Sequence, residues 1–135
     1  MEAELTYLQN SIKITDFRHY AEDAAMGNPY NTLFYISVVS GAFSGCGSFE
    51  CDIKRLKELC EEIRQMYDFK RKSAVLDDYL YGSKLELSLE KIGHLTVSGT
   101  IYGSGAEQSL SFCFGADQTA IPTFVKGLER LIESG

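Results

Sequence analysis

The sequence predicts an α+β fold: an antiparallel sheet of six or seven strands with two amphipathic helices packed on one face. Three observations predict it. Two segments, one from Asp52 to about Phe69 and one closing the chain, carry apolar residues at spacings of three and four. Much of the remaining chain alternates apolar with polar residues, the period of a half-buried strand. Between residues 75 and 114 the strand-like runs are separated by only a few residues. Such connections join antiparallel neighbours and are too short for a parallel crossover.

Taken in order, Leu5 to Ile14 has the composition of a strand. Residues 16–32 hold few apolar anchors and contain the turn signal Gly27-Asn28-Pro29. They read as an irregular excursion with one helical turn around Tyr20 to Met26. From Leu33 to Ser40 the alternation is clear, with Phe34, Ile36 and Val38 on one side and Tyr35, Ser37 and Val39 on the other. Phe43 to Cys51 returns as a strand in which Gly45 and Gly47 suggest a bulge or a bend. Asp52 then caps the first helix, whose stripe is Ile53, Leu56, Cys60, Ile63 and Tyr67.

The meander follows. Val75 to Tyr81 reads as a strand with Leu76 and Leu80 inward and Asp77, Tyr79 and Tyr81 outward. Asp78 falls between the two leucines and therefore lies near an edge or is hydrogen-bonded. After Gly82-Ser83, Leu85, Leu87 and Leu89 alternate with Glu86, Ser88 and Glu90. Lys91 to Gly93 turns the chain, and Leu95, Val97 and Ile101 point inward. Beyond Gly103-Ser104-Gly105, Leu110, Phe112 and Phe114 return along the core face. Asp117 or Thr119 caps the last helix, and Pro122 is tolerated in its first turn.

Composition limits function. The 135 residues suit one domain, 44% of them are hydrophobic, and eight Phe with eight Tyr exclude a disordered tail. No apolar run approaches the ~20 residues of a membrane helix. The acidic start Met-Glu-Ala-Glu is unlike a signal peptide, so a cytoplasmic location is expected. Cys46, Cys51, Cys60 and Cys113 lack CxxC spacing and are expected as free thiols, with neither metal nor cofactor. Thirteen basic against nineteen acidic side chains leave a net charge of −6. That balance disfavours direct nucleic-acid binding and suits a basic protein partner.

The glycines of Gly93-His94-Leu95-Thr96-Val97-Ser98-Gly99 and Gly103-Ser104-Gly105 invite a phosphate-cradle reading. A cradle, however, sets its glycines between a strand and a helix, whereas another strand follows here. His94 and His19 have no evident catalytic partners. Cys51 precedes a helix cap, but Glu50 and Asp52 beside it raise a thiol pKa. What emerges is a surface. The sheet face away from the helices is expected to carry Tyr35, Asp77, Tyr79, Tyr81, Glu86, Glu90 and Tyr102. Tyrosines supply contact area at small entropic cost and carboxylates steer a basic partner, although such residues are also what any exposed strand face contains.

Three stretches carry a resemblance. They are Gly93 to Ile101 (GHLTVSGTI), Ser109 to Ile132 (SLSFCFGADQTAIPTFVKGLERLI) and Phe43 to Ile63 (FSGCGSFECDIKRLKELCEEI). Together they resemble the WapI-like group of bacterial immunity proteins, found beside polymorphic toxins. The resemblance covers residues 33–132 and leaves 1–32, a strand plus an irregular segment, unmatched within a single domain of 1–135. It implies a cytoplasmic protein that neutralises a cognate toxin domain, commonly a nuclease, by binding it without catalysis of its own. Gly93, His94, Asp117 and Thr119 then look like fold determinants. The alternative is a small non-enzymatic binding or regulatory module, monomeric or a weak homodimer formed through a sheet edge. An enzymatic reading would centre on His94 with the Asp77/Asp78 region.

Overall fold

The alternating segments form eight strands in two four-stranded sheets, where the sequence led us to expect six or seven in one. The computed structural model describes residues 1–134. The first sheet holds β1 (Ala3–Tyr7), β2 (Asn10–His19), β3 (Thr32–Ser40) and β4 (Phe43–Cys51) in that order. The second holds β5 (Ser73–Asp77), β6 (Lys84–Leu89), β7 (His94–Tyr102) and β8 (Ser109–Asp117). Every neighbouring pair is antiparallel, as the short connections require. A short helix α1 (Ala21–Ala25) precedes β3, α2 (Ile53–Tyr67) separates the sheets in sequence, and α3 (Ile121–Ser134) closes the chain. The α+β class stands. The single sheet does not.

The N-terminal segment differs most from expectation. What reads as one strand from Leu5 to Ile14 is a hairpin that turns at Leu8, whose φ is 57°. Leucine gives no turn signal, so the alternation runs through the turn unmarked. Residues 16–19, read as irregular, extend β2. A register shift between Thr15 and Arg18, with Asp16 at φ 53°, breaks the alternation that would have announced them. The helical turn expected around Tyr20 to Met26 is α1.

Both long helices form where their stripes predict. The Asp52 side chain accepts from the Lys54 N–H at 3.0 Å, and α2 buries Ile53, Leu56, Leu59, Cys60, Ile63 and Met66. Asp117 caps a 3-10 turn at Gln118–Ala120, accepting from the Thr119 N–H at 2.9 Å, and α3 continues from it. The helices do not share one sheet face. α2 packs on β5, α3 packs on β1, and the two pack on each other, so together they bridge the sheets. On the opposite side β4 lies against β7. The inward faces of both sheets and both helix stripes enclose one continuous core, in which Phe17, Phe34 and Phe49 stack at centroid distances of 6.0 and 5.7 Å.

Glycine sets how closely the sheets approach. The pairing of β3 with β4 runs without a register shift, so Gly45 and Gly47 mark no bulge. A Cβ on Gly47 would lie 2.7 Å from the Tyr102 carbonyl oxygen, a distance real Cβ atoms do not adopt. Its absence lets β4 press on the end of β7. Gly99 stands between Val97 and Ile101 in β7 and pairs with Leu85. A Cβ there would stand 2.0 Å from the Lys84 carbonyl oxygen.

Candidate functional site

The strand expected from Val75 to Tyr81 ends at Asp77. Asp78 stops it. This residue is 4% exposed, and its carboxylate accepts the backbone N–H of Glu50 at 2.7 Å, of Tyr81 at 2.7 Å and of Leu80 at 3.3 Å. A buried carboxylate needs such donors, and a strand running straight on would not supply them. The main chain completes the clasp. The Tyr79 N–H donates to the Glu50 carbonyl at 2.9 Å and the Asp78 N–H donates to the Ser83 carbonyl at 2.8 Å. The buried Ser83 hydroxyl in turn accepts the Tyr102 N–H at 3.1 Å. β4 of one sheet and the β5–β6 loop of the other are thus joined by reciprocal hydrogen bonds.

Tyr79 and Tyr81 therefore sit on a stapled loop and not on a sheet face. Leu80, read as a core residue, lies between them at the surface, 55% exposed, with the tyrosines at 39% and 40%. The Tyr79 ring meets Tyr30 edge-to-face, with centroids 5.7 Å apart at 78°. Burial pushes its phenol pKa upward. Tyr81 converges with Tyr35 and Tyr102 around Gly47 and Cys46, forming a depression of about 260 Å³ along the seam between the sheets. Tyr30 escaped the sequence reading because it falls in a segment without periodicity. Pro29 beside it marks only a turn.

The acidic candidates are dispersed. Asp77 stands exposed at the foot of the loop, opposite Lys84. Glu86 lies in the middle of the outer face of the second sheet, opposite Val75 and Ser98. Glu90 is beyond the far end of β6, lining a cleft with Phe69, Arg71 and Lys91. The structure brings together Tyr35, Tyr81 and Tyr102, sets Tyr79 against Tyr30 and Asp77 at the foot of the same loop, places Glu86 to one side and sets Glu90 apart. A single tyrosine-and-carboxylate face carrying all seven residues does not exist.

The enzymatic arrangement does not assemble. His94 pairs with Asp117 at the start of β7, whereas Asp77 aligns through Lys84 with Thr100, six positions further along that strand. At about 3.3 Å per residue the two groups are roughly 20 Å apart along the sheet. The thiol nearest a helix cap, Cys51, is pushed up to about 12 by burial, with Asp52 and Asp78 adding to the shift. It is a protonated core group at neutral pH. Among the described residues no three His, Cys, Asp or Glu side chains converge to hold a metal ion, and no helix is long and apolar enough to cross a membrane. What the seam can do chemically is present rigid aromatic surface.

The acidic side of α2 is less free than its composition suggests. Glu62 accepts two of the Arg55 guanidinium hydrogen bonds, at 2.9 and 3.0 Å, and lies 3.6 Å from Arg71. The same two arginines close the outer edge of β5. Arg55 donates to the Val75 carbonyl at 2.6 Å, and Arg71 donates to the Ser73 carbonyl at 2.7 Å. An edge strand with its carbonyls occupied is a poor template for another strand.

Comparison with known protein families matches this chain, over residues 9–134, to the Immunity protein WapI-like family. The chain belongs to that family. The match begins well before residue 33, so β2 and α1 are part of the family's domain and not an unmatched prelude. No curated protein matches the chain. Membership makes this an immunity-family protein, whose implied partner is a protein toxin. In that light, the stapled aromatic loop is a distinctive surface of this immunity-family chain.

Proposed function

We propose that this protein neutralises a cognate bacterial toxin domain by stoichiometric occlusion, docking through Tyr79, Leu80 and Tyr81 with Tyr30, Tyr35 and Tyr102 around them. It acts in the cytoplasm, has no catalytic step of its own, and covers a basic surface such as a nuclease presents to its nucleic acid. One observation carries the reading. Three consecutive large side chains are held at the surface on a loop whose backbone is fixed by a buried carboxylate. Exposed aromatic side chains that are already ordered lose little entropy on binding, and Tyr is enriched among interface hot spots. The net charge of −6 favours fast encounter with a basic partner.

The test is co-expression. The C-terminal domain encoded by the neighbouring upstream reading frame is induced with the wild-type protein or with the Tyr79→Ala/Tyr81→Ala variant. Both rings are partly exposed, so the variant is expected to keep the wild-type circular dichroism spectrum. Loss of two hot-spot side chains is expected to weaken the complex about a hundredfold or more. Growth protection and the stoichiometric gel-filtration peak should then disappear. Full protection by the folded double variant would remove this loop from the interface. A toxin domain that kills regardless of the wild-type protein would shift the reading to a regulatory binding module.

A further inference from the structure

The run Lys70-Arg71-Lys72 follows the end of α2, where cations complement the helix dipole. The structure gives it a second setting. α2 ends in a Schellman arrangement: the Phe69 N–H donates to the Met66 carbonyl at 3.0 Å and the Lys70 N–H donates to the Gln65 carbonyl at 2.8 Å. The position that ends such a motif is left-handed and usually glycine. Here it is Phe69, at φ 60° and 59% exposed. Across from it the β6–β7 turn carries Lys91 and then Ile92, a β-branched residue at φ 65° and fully exposed. The Leu89 N–H donates to the Lys72 carbonyl at 2.7 Å and ties the two segments together. Between them lies a cleft of about 550 Å³ lined by Phe69, Arg71, Lys72, Leu89, Glu90 and Lys91.

Phe69 lines the cleft and Ile92 follows its lining residue Lys91, and both hold left-handed backbone that bulky and β-branched residues rarely adopt. The charge there is inverted relative to the chain. Lys72, Lys91 and Arg71 line the cleft with Glu90, Arg71 being shared with Glu62, in a protein of net charge −6. Lys72 and Lys91 form no ion pair among the described residues. The cleft lies at the opposite end of the β5–β6 hairpin from the tyrosine loop, about 15–20 Å away, so it is not part of the surface proposed above.

We infer that this cleft is a second docking site, and that its occupant is an acidic protein segment that inserts an apolar side chain between Phe69 and Leu89 while its carboxylates meet Lys72, Lys91 and Arg71. Phe69 and Leu89 favour a side chain that can be buried, and the cationic rim selects against basic segments. A peptide can pair its carboxylates with the lysines and also bury an apolar side chain against Phe69, which makes it the better fit than a phosphate backbone.

The experiment is an amide-resolved NMR titration of the intact 15N-labelled protein with three probes. They are a short acetylated peptide of alternating glutamate and phenylalanine, the same peptide with lysine for glutamate, and an oligouridine. The acidic peptide is expected to shift Phe69, Lys72, Leu89 and Lys91 saturably and to leave Leu80 and Tyr81 unmoved. The Lys72→Glu/Lys91→Glu variant, altered only at exposed side chains, is expected to lose at least about tenfold in affinity. Phe69→Gly separates recognition from folding. Glycine adopts φ 60° without strain, so the melting temperature should stay within about 4 °C while the peptide shifts vanish. The inference fails if the acidic peptide shifts nothing, or shifts the tyrosine loop instead. It fails equally if oligouridine or the lysine peptide competes on level terms, or if Phe69→Gly melts far below the wild type.

Discussion

Asp78 holds three backbone amides with one buried carboxylate, and its removal leaves those donors without their acceptor. Asp78→Ala is expected to cost about 2–4 kcal/mol, since hydrogen bonds to a charged acceptor contribute about 1.5–3 kcal/mol each and water repairs part of the loss. Urea denaturation measures the cost, and hydrogen exchange should speed up at Leu80 and Tyr81 first. The thiols offer a second residue-level test. Burial pushes both Cys51 and Cys60 up to about 12, whereas Cys46 and Cys113 are exposed. At about pH 8 a disulfide reagent should modify Cys46 and Cys113 in the folded protein and reach the other two only after denaturation. A third test concerns acid. The Lys54 amide, and then the Asn31 side chain, hold the Asp52 carboxyl below its usual range. A depressed carboxyl stabilises the fold above its unfolded pKa of about 3.9, and that contribution fades as pH falls through the lower folded value. Asp52→Ala should therefore lose about 1 kcal/mol at neutral pH and show a flatter decline below about pH 4.

At the level of elements, the close approaches at glycine make a sharper prediction than the strands themselves. Gly99→Ala places a methyl group 2.0 Å from the Lys84 carbonyl oxygen, and its nearest neighbours are β6 backbone that cannot turn aside as a flexible side chain could. The substitution should cost more than about 3 kcal/mol, visible as a lowered urea midpoint or as loss of soluble protein. Gly41→Ala meets no neighbour and strains only a hairpin turn at φ 62°, so its cost should be nearer 1 kcal/mol. Much of this layer was legible in the residues. Period-two alternation placed β3, β6 and β7, and the stripes with Asp52 and Asp117 placed α2 and α3. The alternation failed where a turn used Leu8, where the β2 register shifts at Asp16, and where Asp78 ends β5 to reach amides on β4. Each failure is a long-range or left-handed arrangement that local residue preferences do not encode. The site suffered for the same reason. Tyr79 and Tyr81 were recognisable as exposed, but the convergence of Tyr81 with Tyr35 needs a contact between sheets that are far apart in sequence.

For the whole molecule, the arrangement of two sheets was illegible because fifteen helical residues between β4 and β5 leave open whether those strands pair. Tertiary packing decides it: β4 lies against β7 and does not pair with β5, while α3 packs on β1 and α2 on β5. The charge distribution gives the prediction at this scale. If the toxin surface is basic, as proposed, association should slow about tenfold or more between about 0.05 and 0.5 M salt while dissociation changes little. Stopped-flow mixing measures both rates. An association rate indifferent to salt would mean that the acidic balance serves solubility and not encounter.

The staple at Asp78 has an evolutionary corollary. It grips residues 79–81 by their amide hydrogens, which every amino acid but proline supplies, and never by their side chains. A lineage can therefore rewrite the three outward side chains one at a time, tracking a rival that is itself changing, without disturbing the frame that displays them. In this chain, drift in recognition need not threaten folding.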